Sequence, residues 1–158
     1  MVELDVKIEA NDLYDFMLMH VYHDVIMLLA HAACALFVLV GIMRGRPFYV
    51  VLGVVLLLYL PWTFFLKSRQ LARNNPDFKE PLHYVLDEQG LTVSQNGKEQ
   101  HLDWDSLVKA VSTGRSIIIY TGKINATIFP NREMGDKRTD VIEIISTHMP
   151  PGKVRIRS

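Results

Sequence analysis

The 158-residue sequence has a single cysteine and no excess of charge of either sign. One cysteine cannot form a disulfide within the chain, and Cys34 lies in an apolar stretch where a thiol packs as a small hydrophobic side chain. Seventeen Lys and Arg residues balance seventeen Asp and Glu residues, so the basic surface of a nucleic-acid binder is absent. Residues 1–24 carry six acids and one lysine, which argues against the basic start of a cleavable signal peptide.

The sequence also lacks the motifs of common catalytic sites. It has no glycine-rich phosphate loop, no CxxC pair and no recognisable Ser/His/Asp signature. Asp103 and Asp105 form a carboxylate pair on paper, but no nucleophile stands near them for acid–base chemistry to activate. We therefore expect a protein that is not an enzyme and has no cofactor.

Two long segments contain no charged residue, residues 25–43 and residues 48–66. At about 1.5 Å of rise per residue, each helix would cover roughly 28 Å, close to the ~30 Å hydrocarbon core of a bilayer. The short connection from Arg44 to Pro47 allows only an antiparallel hairpin, and proline suits the first turn of the second helix. The sequence therefore predicts a two-span transmembrane hairpin over residues 25–66.

The basic residues beside these spans predict the orientation of the hairpin. Lys67, Arg69 and Arg73 stand on the side of both termini, against Arg44 and Arg46 in the turn. Because lysine and arginine favour the cytoplasmic ends of spans, we expect both termini in the cytoplasm and the hairpin in the cell (inner) membrane. The first three could also bind anionic lipid, each contributing about 1 kcal/mol, or could act only as topology-setting charge.

Outside the spans, the sequence has the pattern of a small β domain. Residues 2–9 alternate between apolar and charged side chains, as a half-buried strand does, and such a strand needs a sheet to join. Residues 82–158 supply short apolar runs separated by turns, including Asn96-Gly97, a strong hairpin signal, and then an amphipathic helical pattern. The basic tail, residues 152–158, alternates cationic and apolar side chains, so it could be a strand that touches lipid, but we favour a solvated terminus. We predict that residues 1–24 join this domain and that residues 67–81 link it to the hairpin.

Two segments of the domain resemble a known family. They are Trp104 to Val111 (WDSLVKAV) and Ala126 to Met134 (ATIFPNREM), the second with a Phe-Pro-x-Arg element at Phe129 to Arg132. They are similar to the YcxB-like family. The resemblance implies a membrane α+β fold, in which a short strand and helix precede a two-helix transmembrane hairpin and a small PH-like antiparallel β domain follows with a C-terminal helix. It implies no catalytic residues.

The first span and the residues before it contain unexpected polar side chains. On one continuous helix running into the membrane, with Asn11 or Asp12 as its N-cap, several of them would share a single face. We call this face the polar seam, and its members are His20, His23, Asp24, Met27, His31 and Cys34.

The polar seam has two interpretations. His20, Asp24 and His31 could bind a metal ion or carry protons, because ionisable groups inside membranes are usually functional. Alternatively the seam is a packing face that small residues at Ala35 and Gly41 continue, with His31 hydrogen-bonding across helices. The second span has no matching set of ligands, so we favour packing and expect no metal.

These observations lead to one preferred function and one alternative. The preferred function is a bacterial, membrane-anchored PH-like binding or scaffolding module, with the lipid bilayer as one partner and a protein or headgroup of unknown identity as its ligand. The first span could also contact a protein partner or a second copy of the chain. The alternative is a small transporter or metal-handling protein that uses the polar seam.

Overall fold

The computed structural model of the chain describes residues 1–22, 24–122 and 125–156. Two long apolar helices and a set of mainly antiparallel strands give an α+β fold, which confirms the general fold class. The helices and strands are β1 (Val2–Val6), α1 (Ala10–Tyr22), α2 (Val25–Met43), α3 (Pro47–Asn74), β2 (Leu82–Leu86), β3 (Gly90–Gln95), β4 (Lys98–Asp103), β5 (Lys109–Ser112), β6 (Ser116–Tyr120), β7 (Ala126–Pro130), α4 (Asn131–Met134), α5 (Arg138–His148) and β8 (Val154–Arg155).

The strands form two four-stranded sheets. The first has the order β1-β2-β3-β4, and the second has the order β7-β6-β5-β8, in which β8 alone pairs in parallel. In the first sheet, β1 pairs with β2 so that Val2 lies opposite Leu86 and Val6 lies opposite Leu82. The prediction that the N-terminal strand joins the C-terminal sheet is confirmed.

One hydrophobic core lies between the sheets and α5. The alternation of β1 buries Leu4 and Val6, which cluster with residues of both sheets and with Val141 and Ile145 of α5. Trp104 belongs to the same core, with 5% of its surface exposed, and its Nε1 donates a 2.9 Å hydrogen bond to the Asp87 carbonyl oxygen. The tryptophan therefore packs as a core residue.

The hairpin turn is also confirmed. Asn96 and Gly97 have φ angles of 52° and 76°, and Gln95 lies opposite Lys98 across the ladder. A two-residue loop with left-handed φ at both positions matches the right-handed twist of the strands, which explains the Asn-Gly pair.

The helical region departs from the sequence prediction. The predicted continuous helix from α1 into the first span is wrong, because Asp24 is extended (φ −86°, ψ 118°) and its carboxylate accepts a 2.9 Å hydrogen bond from the Ile26 amide. The predicted N-cap of α1 is also wrong. Helix α1 begins at Ala10, and Asp12 reaches back from its first turn to accept a 2.8 Å hydrogen bond from the Glu9 amide, as in a capping box.

Two segments have more regular structure than the sequence indicates. Helix α3 extends past the predicted span of residues 48–66 to Asn74, because most of the residues that follow the span are good helix formers. The tail is not a free terminus at Val154 and Arg155, which pair with Ala110 and Val111 of β5, although Arg155 stays exposed. Residues 157–158 of this tail lie outside the described residues.

Candidate functional site

Helices α2 and α3 present apolar side chains to their surroundings. The most apolar window of α2 has a mean hydropathy of 2.6 and that of α3 has 2.2, yet only 6% of each window is buried. A core helix of a soluble protein would be mostly buried, so these exposed surfaces need another apolar environment. Both helices are long and apolar enough to cross a membrane.

The two helices pack closely through glycines. A Cβ atom at Gly53 would lie 2.6 Å from Val38 Cγ2 and 3.0 Å from the Cys34 carbonyl oxygen, and one at Gly41 would lie 2.8 Å from Val50 Cγ2. No side chain larger than hydrogen fits at either position without movement. Small residues at helix contacts are the usual means of close packing in membranes.

Part of the polar seam faces this contact. Met27, His31, Cys34 and Gly41 are less exposed than their neighbours on α2, which agrees with the packing interpretation for the portion after the break. Ala35, which the sequence placed on the same face, is exposed, so that assignment is wrong. The reason is the spacing: the buried positions alternate between steps of four and three residues, and Ala35 is one residue out of phase.

The other seam residues do not meet on one face. His20 belongs to α1 and stacks on Tyr120, with ring centroids 6.1 Å apart, while Asp24 caps α2. His31 Nδ1 donates a 2.8 Å hydrogen bond to the Met27 carbonyl oxygen of its own helix, so the predicted bond across helices is wrong. The Met27 carbonyl oxygen lies one turn before His31, and its second lone pair can accept this bond in addition to the helix hydrogen bond. His23 lies outside the described residues.

The described residues contain no group of three or more His, Cys, Asp or Glu side chains that could share a metal ion. The helix break puts His20 on the β domain and His31 on the hairpin. The structure therefore does not bring the three candidate ligands His20, Asp24 and His31 together.

The three basic candidates beside the second span lie on the C-terminal extension of α3. Lys67, Arg69 and Arg73 are all exposed, and the Arg69 guanidinium lies 4.2 Å from the Phe65 ring centroid. At 100° per residue, Arg69 and Arg73 share one face, whereas Lys67 is roughly 120° or more away from both. They therefore do not form one lipid-binding patch.

The strongest polar contact joins α1 to the β domain. Arg132 donates 2.7 Å hydrogen bonds to both carboxylate oxygens of Asp12, and its Nη2 also donates to the Lys7 carbonyl oxygen at 2.9 Å. The hydrogen bonds to Asp12 raise the pKa of the Arg132 guanidinium above its usual value. The negative charges of nearby acids raise this pKa further by a smaller amount. Arg132 ends the Phe-Pro-x-Arg element, which the sequence singled out without a role for its arginine.

A second contact lies one turn further along α1. Thr113 Oγ1 donates a 2.6 Å hydrogen bond to Asp15 Oδ2, which ties α1 to the end of β5. Another side of α1 packs on the hairpin, where the Tyr14 and Phe65 rings meet edge-on with centroids 6.1 Å apart. Helix α1 is therefore held by both the β domain and α3, so it connects the two parts firmly.

A cleft of about 670 Å³ lies between α1 and the second sheet, and we call it the α1 cleft. One wall is a single face of α1, whose side chains are spaced three, four and seven residues from the first. The other wall is the β5 end with α4, α5 and β8. The lining residues are Asp15, Leu18, Met19, Tyr22, Val111, Ser112, Thr113, Gly114, Asn131, Arg138 and Arg155.

Sequence reasoning missed Arg138 as a residue of the α1 cleft, and it gave Arg155 only the less favoured interpretation of a basic strand. Arg138 is the first residue of α5, and Arg155 lies in β8. The parallel pairing of β8 with β5, which the alternation of the tail does not predict, brings Arg155 to the cleft.

Residues 86–144 match the model of the YcxB-like protein family, the family that Trp104 to Val111 and Ala126 to Met134 resemble. The matched segment begins at the last residue of β2 and ends within α5, so it contains both Trp104 and Arg132. It does not include the helical hairpin. No curated protein and no solved structure matches the chain.

Proposed function

We propose that this YcxB-like chain is a membrane-anchored binding module, in which the α2–α3 hairpin spans the bilayer and holds a PH-like domain at its cytoplasmic face. The observation that carries the proposal is the exposure of the two helices, with only 6% of each apolar window buried. In water this surface would drive association, whereas lipid tails cover it without cost. The charge count beside the spans supports cytoplasmic termini in a bacterial inner membrane.

The PH-like assignment rests on the arrangement of the β domain. Two sheets share one core, and Tyr84 of the first sheet meets Phe129 of the second with ring centroids 5.0 Å apart. Helix α5 follows the last strand of the meander and buries Val141 and Ile145 against that core. Two packed and mainly antiparallel sheets, followed by a C-terminal helix, are the features expected of a PH-like domain.

The junction at α1 supports a role in binding close to the membrane. The Asp12–Arg132 pair and the Tyr14–Phe65 contact fix α1 between the domain and the hairpin. A domain held in this way presents a constant surface to the bilayer, whereas a flexible linker would let it sample many orientations. This geometry suits a module that binds a ligand or a partner at the membrane surface.

Reporter fusions test the anchoring and the orientation together. A reporter that is active only after export should work when inserted at Gly45, and a cytoplasmic reporter should work when fused after Ser158. The protein should also stay in the membrane pellet after alkaline carbonate washing. Release into the carbonate supernatant would disprove the spanning hairpin, and an exported reporter active at Ser158 would disprove the orientation.

A further inference from the structure

We infer that the α1 cleft binds the phosphate group of an anionic phospholipid headgroup, an inference that rests on the proposed membrane anchoring. The first argument is position. Tyr22, in the cleft wall, is the last residue of α1, and Asp24 caps the apolar helix α2 only two residues later. The Tyr22 ring lies 5.2 Å from the ring of His31, which is inside α2. The cleft therefore borders the end of a span, at the depth of the lipid headgroups.

The second argument is charge. Arg138 and Arg155 both line the cleft, and Asp15 is the one acidic residue among the described residues of its lining. The Asp15 carboxylate accepts a 2.6 Å hydrogen bond from Thr113 Oγ1. Two guanidinium groups and one carboxylate therefore stand among the described lining residues, and guanidinium groups match the geometry of phosphate oxygens.

The apolar part of the cleft fits the rest of the same molecule. Leu18, Met19 and Tyr22 lie on the same face of α1 as Asp15 and continue towards the start of α2. A phospholipid placed with its phosphate at the arginines has its glycerol ester region against these side chains. A soluble phosphate would use the arginines alone and leave this face uncovered.

The test uses the full chain purified in a mild detergent and exposed to equal amounts of phosphatidylglycerol and phosphatidylcholine. Native mass spectrometry then measures which lipid stays bound. We expect the wild type to retain phosphatidylglycerol preferentially, and Arg155→Gln to weaken this preference about fivefold, the equivalent of about 1 kcal/mol for one cation near an anionic lipid. Arg155→Lys should keep most of the preference, because the charge remains.

One control variant separates the cleft from general surface charge. Lys98→Gln removes an exposed cation at the start of β4, outside the cleft lining, and should leave the lipid preference unchanged. Arg138→Gln is a second cleft variant and should weaken the preference as Arg155→Gln does; its melting temperature is measured alongside, because Arg138 has further interactions in the protein. A loss of preference in Lys98→Gln equal to that in Arg155→Gln would overturn the inference.

Inorganic phosphate is the probe for the alternative source of the same chemistry. If the wild type shows no lipid preference but millimolar phosphate raises its melting temperature, the cleft is a site for soluble phosphate. That outcome would overturn the inference of a lipid ligand. If the wild type resists carbonate extraction yet shows no preference between the lipids, the cleft inference fails and the proposed anchoring stands. Release of the wild type by carbonate would instead disprove the membrane anchoring, on which the cleft inference also depends.

Discussion

The guanidinium of Arg132 donates two 2.7 Å hydrogen bonds to the carboxylate of Asp12, across 120 residues of sequence. Asp12 is only 4% exposed, so its charge is removed from water and depends on this partner. The Asp12 carboxylate also accepts a hydrogen bond from the Glu9 amide, an interaction at the start of α1. One ion pair therefore fixes the helix that precedes the hairpin to the domain that follows it.

Removing Arg132 should destabilise the protein strongly. We expect Arg132→Ala to lower the free energy of unfolding by about 3 kcal/mol, because it leaves the buried Asp12 carboxylate unpaired. Thermal unfolding of the full chain in detergent measures the effect. The control is Arg115→Ala, an exposed arginine nearby, which should stay within about 0.5 kcal/mol of the wild type. The double variant Asp12→Asn/Arg132→Met, which keeps a side-chain oxygen for the Glu9 amide, should recover part of the loss, and a loss as large as that of Arg132→Ala would show that the charge pair is not the cause.

The N-terminal strand should be essential to the β domain. Leu4 is 4% exposed within the shared core, so we expect Leu4→Ala to cost about 2–5 kcal/mol of unfolding free energy. Glu3→Ala, on the exposed face of the same strand, is the matched control. Protection of the C-terminal domain from proteolysis should fall in the first variant and persist in the second. Equal protection in both would mean that β1 is dispensable.

The predictable parts of this fold have local patterns. The alternation over residues 2–9 predicts β1, and Asn96-Gly97 predicts the β3–β4 hairpin, because each depends on neighbours in sequence. The helix break before α2 was missed because Asp24 fits a continuing helical face as well as it fits an N-cap. Only the backbone conformation of Asp24, which is extended in the structure, distinguishes an N-cap from a continuing helix.

The contacts around α1 could not be predicted, for a different reason. Asp12 and Arg132 belong to segments far apart in sequence, and either residue alone reads as a solvated charge. Arg155 reaches the α1 cleft through a parallel pairing of two residues, which the alternation of the tail does not predict. Long-range electrostatic contacts of this kind depend on the complete fold, so a single sequence shows their members but not their pairing.

Gly53 should be intolerant of larger side chains. Its missing Cβ would lie 2.6 Å from Val38 Cγ2 and 3.0 Å from a backbone oxygen of α2, so Gly53→Leu must separate the helices. We expect a loss of about 1–3 kcal/mol or more, seen as a lower melting temperature in detergent. Val54→Leu, at the exposed neighbouring position, should have little effect. A normal melting temperature for Gly53→Leu would show that α2 and α3 do not pack through this glycine.

His31 should be replaceable by an apolar residue. Its Nδ1 bonds only to the helix carbonyl of Met27, and its Nε2 is buried without a partner among the described residues. Because an unsatisfied buried group costs free energy, His31→Leu should keep or raise the melting temperature. Metal content measured by mass spectrometry should be the same in the wild type and the variant. Stoichiometric metal that is lost with His31 would instead favour the metal-handling function.

The buried phenol of Tyr84 should make stability depend on alkaline pH. Burial raises the pKa of Tyr84 to about 12, and the Thr127 hydrogen bond offsets this only partly. A raised pKa in the folded state means that the contribution is complete below about pH 10 and is lost as pH rises towards 12. We expect a loss of about 1 kcal/mol by pH 11, measured as melting temperature against pH, and Tyr84→Phe should remove this part of the dependence. An identical alkaline slope in Tyr84→Phe would assign the loss to other groups.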